Sequence, residues 1–483
     1  MRFKVSLRII GVLLMLFSVA MLPPLVIGLL ADDHSADAFA IAFITNMLAG
    51  LALWFPTRGI QTDLRIRDGF LVTALFWIVL GVFGAVPFIV ATALDLTIVE
   101  AIFESISGLT TTGATVIVGL DHLPKSILLY RQLLQWLGGI GIIVLAVAIL
   151  PMLGIGGMQL YRAESAGPAK DRKLTPRITG TAKALFSIYL GLTSACGLAY
   201  WLAGMSAFDA ICHAFSTVAI GGFSTHDASM GYFDSSAILF ICTVFMVISA
   251  VNFGLHFLAF QRRSLSVYRQ DAETSFFSVV LALATLITCC TLILTNTLPS
   301  YSESLIHGLF QTVSIATTTG FATQNFAGWP NFLPFLLLML SFMGGCAGST
   351  GGGIKAMRLL LIFNQGMREL KQLLHPNAII PLKLDSRRVP PSVVSAVWSF
   401  FAVYMFCFVT IMLLLLATGL DFASAFSAVA ASLNNLGPGL GVVAQNYALV
   451  GDVGKVILCI AMLLGRLEVF TLLVLFTPAF WRP

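Results

Sequence analysis

Residues 107–116 read SGLTTTGATV. Three threonines run into a glycine inside a chain that is otherwise mostly apolar. Alone, the stretch reads as a turn or a helix end. Set beside three others it becomes part of a pattern. VEAIFESISGLTTTGAT (99–115), FDAICHAFSTVAIGGFST (208–225), IHGLFQTVSIATTTGFAT (306–323) and ASAFSAVAASLNNLGPGLG (423–441) align on Gly113, Gly222, Gly320 and Gly437. Twelve residues before each glycine stands a small residue, Ala101, Ala210, Gly308 or Ala425. Eleven before stands a bulky apolar one, Ile102, Ile211, Leu309 or Phe426, and six before stands Ser107, Ser216, Ser314 or Ala431. Self-similarity at a fixed period marks repeated structural units.

The chain has 483 residues, 58% of them hydrophobic and 10% charged. A soluble domain carries about 25% charge. Apolar runs of about 20 residues, the length that crosses a bilayer as helix, recur near 7–30, 38–56, 69–93, 131–151, 180–204, 236–260, 275–297, 332–364, 393–419 and 453–478. The expectation is an all-α polytopic membrane protein. Pro23-Pro24 is a candidate kink in the first run. That run lacks the small-residue cleavage site of a signal peptide and is read as a retained helix.

Ten spans put both termini on one side. On this reading 23 of the 27 Lys and Arg fall on that side, three (Lys125, Arg131, Lys455) fall on the other, and Arg466 lies inside a helix. The positive-inside rule makes the termini cytoplasmic. The four aligned stretches sit between spans on the opposite side. Each is about a dozen residues, too short to cross, and suits a re-entrant helix. The expected unit is helix, re-entrant helix, glycine loop, helix, four times, preceded by two helices. The expected divisions are 1–68 for the two extra helices, then 69–178, 179–274, 275–392 and 393–483 for the repeats.

Irregular backbone at membrane depth cannot face lipid and is tolerated where it lines a wet cavity. Four such loops about a pseudo-fourfold axis place rings of carbonyl oxygens at the centre. Such rings replace the hydration shell of an alkali cation. Glycine reaches the positive φ that turns a carbonyl inward. The candidate lining is Thr110, Thr111, Thr112 and Gly113; Ala219, Ile220, Gly221 and Gly222; Thr317, Thr318, Thr319 and Gly320; and Asn434, Asn435, Leu436 and Gly437. The threonine hydroxyls are candidate oxygen ligands. The Asn pair serves either as lining or as packing hydrogen bonds.

The repeat and its glycine loops resemble the Trk/Ktr/HKT superfamily of potassium transporters. SGLTTTGAT, LGGIGIIVLAVAILP, AIGGFSTHDAS, GGCAGSTGGGIK, NNLGPGLGVVA and GRLEVFTLLVLFTPAFWR are similar to its bacterial TrkH branch, and the likeness runs from the first span to the C-terminus. In that superfamily glycine in all four loops goes with potassium selectivity, and serine in the first with sodium transport in some plant relatives. The resemblance therefore implies potassium as the ion carried, a multi-pass bacterial inner-membrane location, a homodimer, and a separate cytoplasmic TrkA-type ring that binds NAD or ATP.

Residues 344–353 (Gly344, Gly345, Cys346, Ala347, Gly348, Ser349, Thr350, Gly351, Gly352, Gly353) carry six glycines in ten. Each costs about 1 kcal/mol against alanine in a helix, so the eighth span breaks there. Either the segment is a mobile plug of the conduction path or it packs helices closely; the resemblance implies an intramembrane gating loop. Arg466, read as near a helix centre, must face the interior or water. It either pairs with Glu468 or snorkels, or it stands by the pore as a charge that repels cations and holds the gate loop, which is what the resemblance implies. Lys355 either acts there as well or is a cytoplasmic end charge.

The eight cysteines lack metal spacing and read as small buried hydrophobes. His122, His213, His226, His256, His307 and His375 show no metal spacing either. Asp121, Asp227 and Asp234 near the outer mouth either concentrate cations or are ordinary loop charges. No nucleotide motif is visible, so no cofactor is expected on this chain. The basic loops 162–177, 261–274 and 365–392 are candidate contacts for the partner ring or for anionic lipid; no nucleic-acid partner is expected. A secondary carrier would need inverted repeats and ionisable groups within the spans. Here the units run the same way, and Arg466 reads as nearly the sole mid-span charge. An enzyme would need a clustered acid, base or metal set, which the sequence does not offer.

Overall fold

The computed structural model describes residues 3–59, 66–148, 178–330, 332–378, 380–385 and 387–482. The basic loop 162–177 and the end of the fourth span, 149–151, lie outside the described residues. Two helical spans come first. The first is α1 (Phe3–Ser18) continuing into α2 (Leu22–Ala31), with a 3-10 turn just ahead of Pro23-Pro24; the second is α3 (Ala36–Trp54).

Four units follow, each an outer helix, a short helix and an inner helix. The first is α4 (Ile66–Phe83) with its extension α5 (Val86–Val90), short helix α6 (Ile98–Leu109) and α7 (Lys125–Ala148). The second is α8 (Ile178–Leu202), short helix α9 (Ala207–Ala219), α10 (Ser236–Ala250) and α11 (Phe253–Arg262), followed by a single-turn α12 (Ser266–Arg269). The third is α13 (Ala272–Leu294), short helix α14 (Tyr301–Ala316), α15 (Leu333–Leu340) and α16 (Ala356–Leu374). The fourth is α17 (Pro391–Ala417), short helix α18 (Phe422–Leu433), α19 (Asp452–Arg466) and the turn α20 (Phe470–Leu473). Among the described residues the sole sheet is a two-residue antiparallel pair, Lys383–Leu384 with Arg387–Arg388.

Among the described residues six helical stretches are long and apolar enough to cross a bilayer, and two bent pairs raise the figure to eight. The bends correct the expectation of continuous sixth and tenth spans. α10 and α11 meet at 96°, and α19 turns by 109° after Arg466. The sixth breaks at Val251–Asn252, where the Asn252 side chain accepts the Gly254 amide and starts a new helix. The eighth breaks as its glycines require, between α15 and α16.

The short helices are set by their first and last residues. Thr97, Ser206, Ser300 and Asp421 each accept a hydrogen bond from the amide three residues on, the standard way to satisfy an orphan donor at a helix start. In α6 the cap is reciprocal, with Glu100 accepting the Thr97 amide at 3.0 Å. Each helix then buries most of its length, and its C-terminus runs into one of the glycine loops.

Candidate functional site

All sixteen loop residues come together. Counting back from the aligned glycine, the second residue is Thr111, Ile220, Thr318 or Asn435, with φ of 54°, 54°, 67° and 54°, and the glycines themselves have φ of 80°, 78°, 84° and 96°. Each loop thus makes the same two left-handed steps. The first ends its helix in a Schellman motif. The amides of Thr112, Gly221, Thr319 and Leu436 reach back to the carbonyls of Ser107, Ser216, Ser314 and Ala431 at 2.9, 2.9, 2.8 and 2.7 Å. The residue six before each glycine receives that bond on its backbone carbonyl.

The loops touch in cyclic order. A side chain on Gly113 would run into the Gly221 carbonyl oxygen, one on Gly222 into that of Thr319, and one on Gly320 into that of Leu436. One on Gly437 would lie 2.7 Å from the Thr112 oxygen, which closes the ring. Glycine is required at these four places both for its φ and for this contact. Four helix C-termini, each the negative end of a helix dipole, run into the loops of this ring.

The side chains of the loops brace one another more than they line a path. Thr110 and Thr112 hydroxyls pair at 2.7 Å, as do Thr317 and Thr319. Thr110 and Thr317 also donate to Ile106 and Val313 carbonyls. Asn434 accepts from Tyr404 Oη at 2.5 Å and donates to Ser341, while Asn435 donates to Thr112 Oγ1 and Met462 O at 3.0 Å each. The packing alternative therefore describes both asparagines.

Behind the ring lies buried charge that the sequence reading did not anticipate. Arg131 and Glu104 form an ion pair at 2.8 Å with both side chains fully buried. Arg131 also donates to Ser224 O and Thr115 Oγ1, and Glu104 accepts from Thr115 and the Val116 amide. Lys455 is 3% exposed and pairs with Glu100 at 2.7 Å. Arg131 and Lys455, counted on the outer side, are thus buried in ion pairs, which corrects the expectation that Arg466 is nearly the sole charge within the spans. A glutamate and an arginine inside apolar helices, 27 residues apart, were the available signal.

Segment 344–353 lies against the helix-side end of the ring. The Gly352 amide donates to Thr318 Oγ1 at 2.8 Å, the Gly353 amide to Asn434 O at 3.0 Å, and Thr350 Oγ1 to Val218 O at 2.9 Å. It thus contacts the ends of the second, third and fourth short helices. Its other side is held by the Cys346 amide on Ala250 O at 2.8 Å and the Ala347 amide on Glu273 Oε1 at 2.6 Å. Arg466 donates to Thr350 O at 3.2 Å and to Gly138 O at 3.0 Å, tying the segment to the first unit.

Three further readings are corrected here. Arg466 is the last residue of α19, not a helix centre. Glu468 pairs with Arg358 at 2.6 Å rather than with Arg466. Lys355 is 8% exposed and its ammonium donates to the Gly351 carbonyl, so it belongs to the segment and is no end charge. All eight cysteines are free; seven are buried as read, and Cys290 departs from the reading in being exposed.

At the opposite mouth His226 bridges two loops. Its Nδ1 lies 2.5 Å from Asp121, its Nε2 3.5 Å from Asp209, and its ring stacks on Tyr232 at 3.4 Å. Burial opposes the imidazolium, but the Asp209 and Asp121 carboxylates outweigh it and raise the His226 pKa. Hydrogen bonding from His226 holds the Asp121 carboxyl below its usual range. Asp227 accepts the Gly119 amide at 3.0 Å, a second link between the same loops.

Comparison with known proteins places this geometry. Residues 35–482 match the family TrkH, described as cation transport protein. The Trk system potassium uptake protein TrkH of Vibrio parahaemolyticus is 57% identical, and that of Escherichia coli K12 56%, each over the whole of both chains. TrkG of Escherichia coli K12 is 42% identical over 99% of each chain. The crystal structure of the potassium transporter TrkH from Vibrio parahaemolyticus superposes with a TM-score of 0.93, at 55% identity and full coverage of both chains. Four repeated units closing a ring of glycine loops, and a match spanning nearly every residue, make this chain a member of the TrkH family of cation transport proteins, a family of transporters and not of enzymes.

Proposed function

We propose that this chain is the ion-conducting subunit of a Trk-type potassium uptake system and that the four-loop ring is its selectivity filter. The observation that carries this reading is the closure of the ring: four glycines, each backed onto a carbonyl of the next loop, in loops that each end a short helix. Backbone oxygens of Thr110–Gly113, Ala219–Gly222, Thr317–Gly320 and Asn434–Gly437 stand in for the water that a potassium ion sheds on entry. The negative ends of the short helices favour a cation there. The hydroxyls and amides of these loops hold the carbonyls in place.

Segment 344–353 is the gate. It occupies the helix-side end of the filter, and Arg466 latches it through the Thr350 carbonyl. Opening requires that latch and the bonds to Thr318 and Asn434 to be released. Glu273 and the Phe253 amide, which donates to the Gly348 carbonyl, hold the far side of the segment, so a pull on α11, α13 or α16 moves it. The curated relatives are named as parts of a Trk system, and this chain works in such a multi-component system. A cytoplasmic TrkA-type nucleotide-binding ring supplies the pull through the basic loops 261–274 and 365–392. The subunit acts as a homodimer in the bacterial inner membrane with both termini cytoplasmic, the orientation that the distribution of Lys and Arg supports.

The test is flux. Purified protein in liposomes should pass potassium and rubidium far faster than sodium or lithium. Equal permeation of all four ions would overturn the assignment of the ring as filter.

A further inference from the structure

One face of α7 bears on two loops at once. Arg131, Gln132, Gln135 and Gly138 recur at helical spacing along it. Arg131 ties Glu104 of the first short helix to Ser224 beyond the second loop. Gln132 accepts from Ser216 Oγ, in the second short helix. Gly138 lies flush against the Leu109 carbonyl at the end of the first short helix. Gln135, fully buried, reaches the second loop itself. Its Nε2 donates to Gly221 O at 2.6 Å, and its Oε1 accepts the Phe223 amide at 3.1 Å. Gly221 has no room for a side chain because the Gln135 amide occupies that space.

The loops differ in how they are braced. The first and third carry a threonine three before and one before the glycine, and those two hydroxyls pair within the loop. The second loop has Ala219 and Gly221 at these positions and cannot brace itself. Its Gly221 oxygen is the carbonyl on which Gly113 of the first loop rests. Among the described residues it is the sole one of the four equivalent carbonyls, with those of Thr112, Thr319 and Leu436, to receive a side-chain donor.

We propose that Gln135 is a specificity-determining positioning residue that supplies to the second loop, from a neighbouring helix, the brace that threonine pairs supply to the first and third. By holding both Gly221 O and the Phe223 amide it fixes the peptide planes on either side of Gly222. It also fixes the seam between the first and second walls. The inference rests on the reading of the ring as filter.

The test separates the two. Gln135→Met keeps the length of the side chain and removes both hydrogen bonds; Gln135→Glu keeps the acceptor for Phe223 and removes the donor to Gly221. Each is reconstituted in liposomes beside wild type and Gly113→Ser, and rubidium and sodium fluxes are measured. A loss of packing alone lowers both fluxes together. A loss of positioning lowers their ratio. The expected result is a rubidium-to-sodium ratio reduced by about threefold to tenfold in both Gln135 variants, the bias carried by one buried hydrogen bond, with rubidium flux retained. An unchanged ratio, or parallel loss of both fluxes, overturns the role of Gln135. If Gln135→Met does not yield monodisperse protein, Gln135→Glu is read by the same criteria. Should Gly113→Ser lose discrimination while the Gln135 variants keep it, the filter stands and the brace fails. Should none of the variants change the ratio, the filter assignment fails as well.

Discussion

At Ile220 a β-branched side chain sits at φ +54°, and Thr111 and Thr318 share that conformation. A left-handed residue other than glycine costs about 1–2 kcal/mol, and β-branched residues are rare there. Glycine would relieve the strain but would supply no side chain. Thr318 uses its hydroxyl to hold the Gly352 amide, and Asn435, equivalent in the fourth loop, ties to Thr112. Titration at the other mouth is a second matter of single residues. Because the His226 pKa is raised in the folded protein, its contribution to stability is full below its ordinary value near 6.5 and is lost as pH rises through the higher folded value. The groups facing it are Asp121, Asp209 and the Tyr232 ring, with Asp227 alongside. His226→Asn should therefore lower the unfolding temperature most below about pH 6.5, with the deficit fading as the pH rises above that value. A deficit independent of pH would show that His226 acts by stacking alone. At this scale the sequence was half legible. The glycines stood out because nothing else fits a left-handed turn against a carbonyl. Gln135, Glu104 and Arg131 did not, because a polar residue inside an apolar helix does not say which loop it will reach.

Among the elements, the short helices were readable and the bent ones were not. A dozen apolar residues between spans, ended by a glycine loop, permits little else. By contrast the breaks at Val251–Asn252 and after Arg466 fall in runs apolar enough to be read as single spans, and they are set by caps and tertiary contacts. Read as a continuous span, the last helix put Arg466 at its centre; the break puts it at a C-terminus, where a guanidinium suits the helix dipole and reaches two carbonyls. Segment 344–353 was legible as irregular because six glycines exclude helix. Its contact with three short helices came from the fold. Arg466→Gln should leave Thr350 without its charged donor and raise rubidium flux measured in the absence of a cytoplasmic partner. Deleting 345–352 should raise it further. Flux at or below wild type in a monodisperse variant would argue that the segment is packing and not a gate.

For the molecule as a whole, the repeat carried the fold. Chance gives one matching position easily, but size class at three positions plus glycine, in the same topological place four times, is what a common backbone demands. What the repeat could not convey was the division of labour among the four units. On the proposed reading of the ring as filter, an ion held there binds the folded state and not the unfolded chain, so it stabilises the protein by mass action, about 2.7 kcal/mol at a concentration of about 100 times its dissociation constant. Replacing sodium by potassium or rubidium at constant ionic strength should accordingly raise the unfolding temperature. No difference between the cations would place the ion's selective site elsewhere.

The ring is closed by one polypeptide, with walls that differ in sequence: TTTG, AIGG, TTTG and NNLG. In a pore built from four identical subunits every substitution arrives four times over, so each must be tolerated on all sides at once. Here a codon change alters one wall and leaves three as they were. Ion preference can drift in small increments under selection, and a compensating change such as a glutamine on a neighbouring helix need arise once.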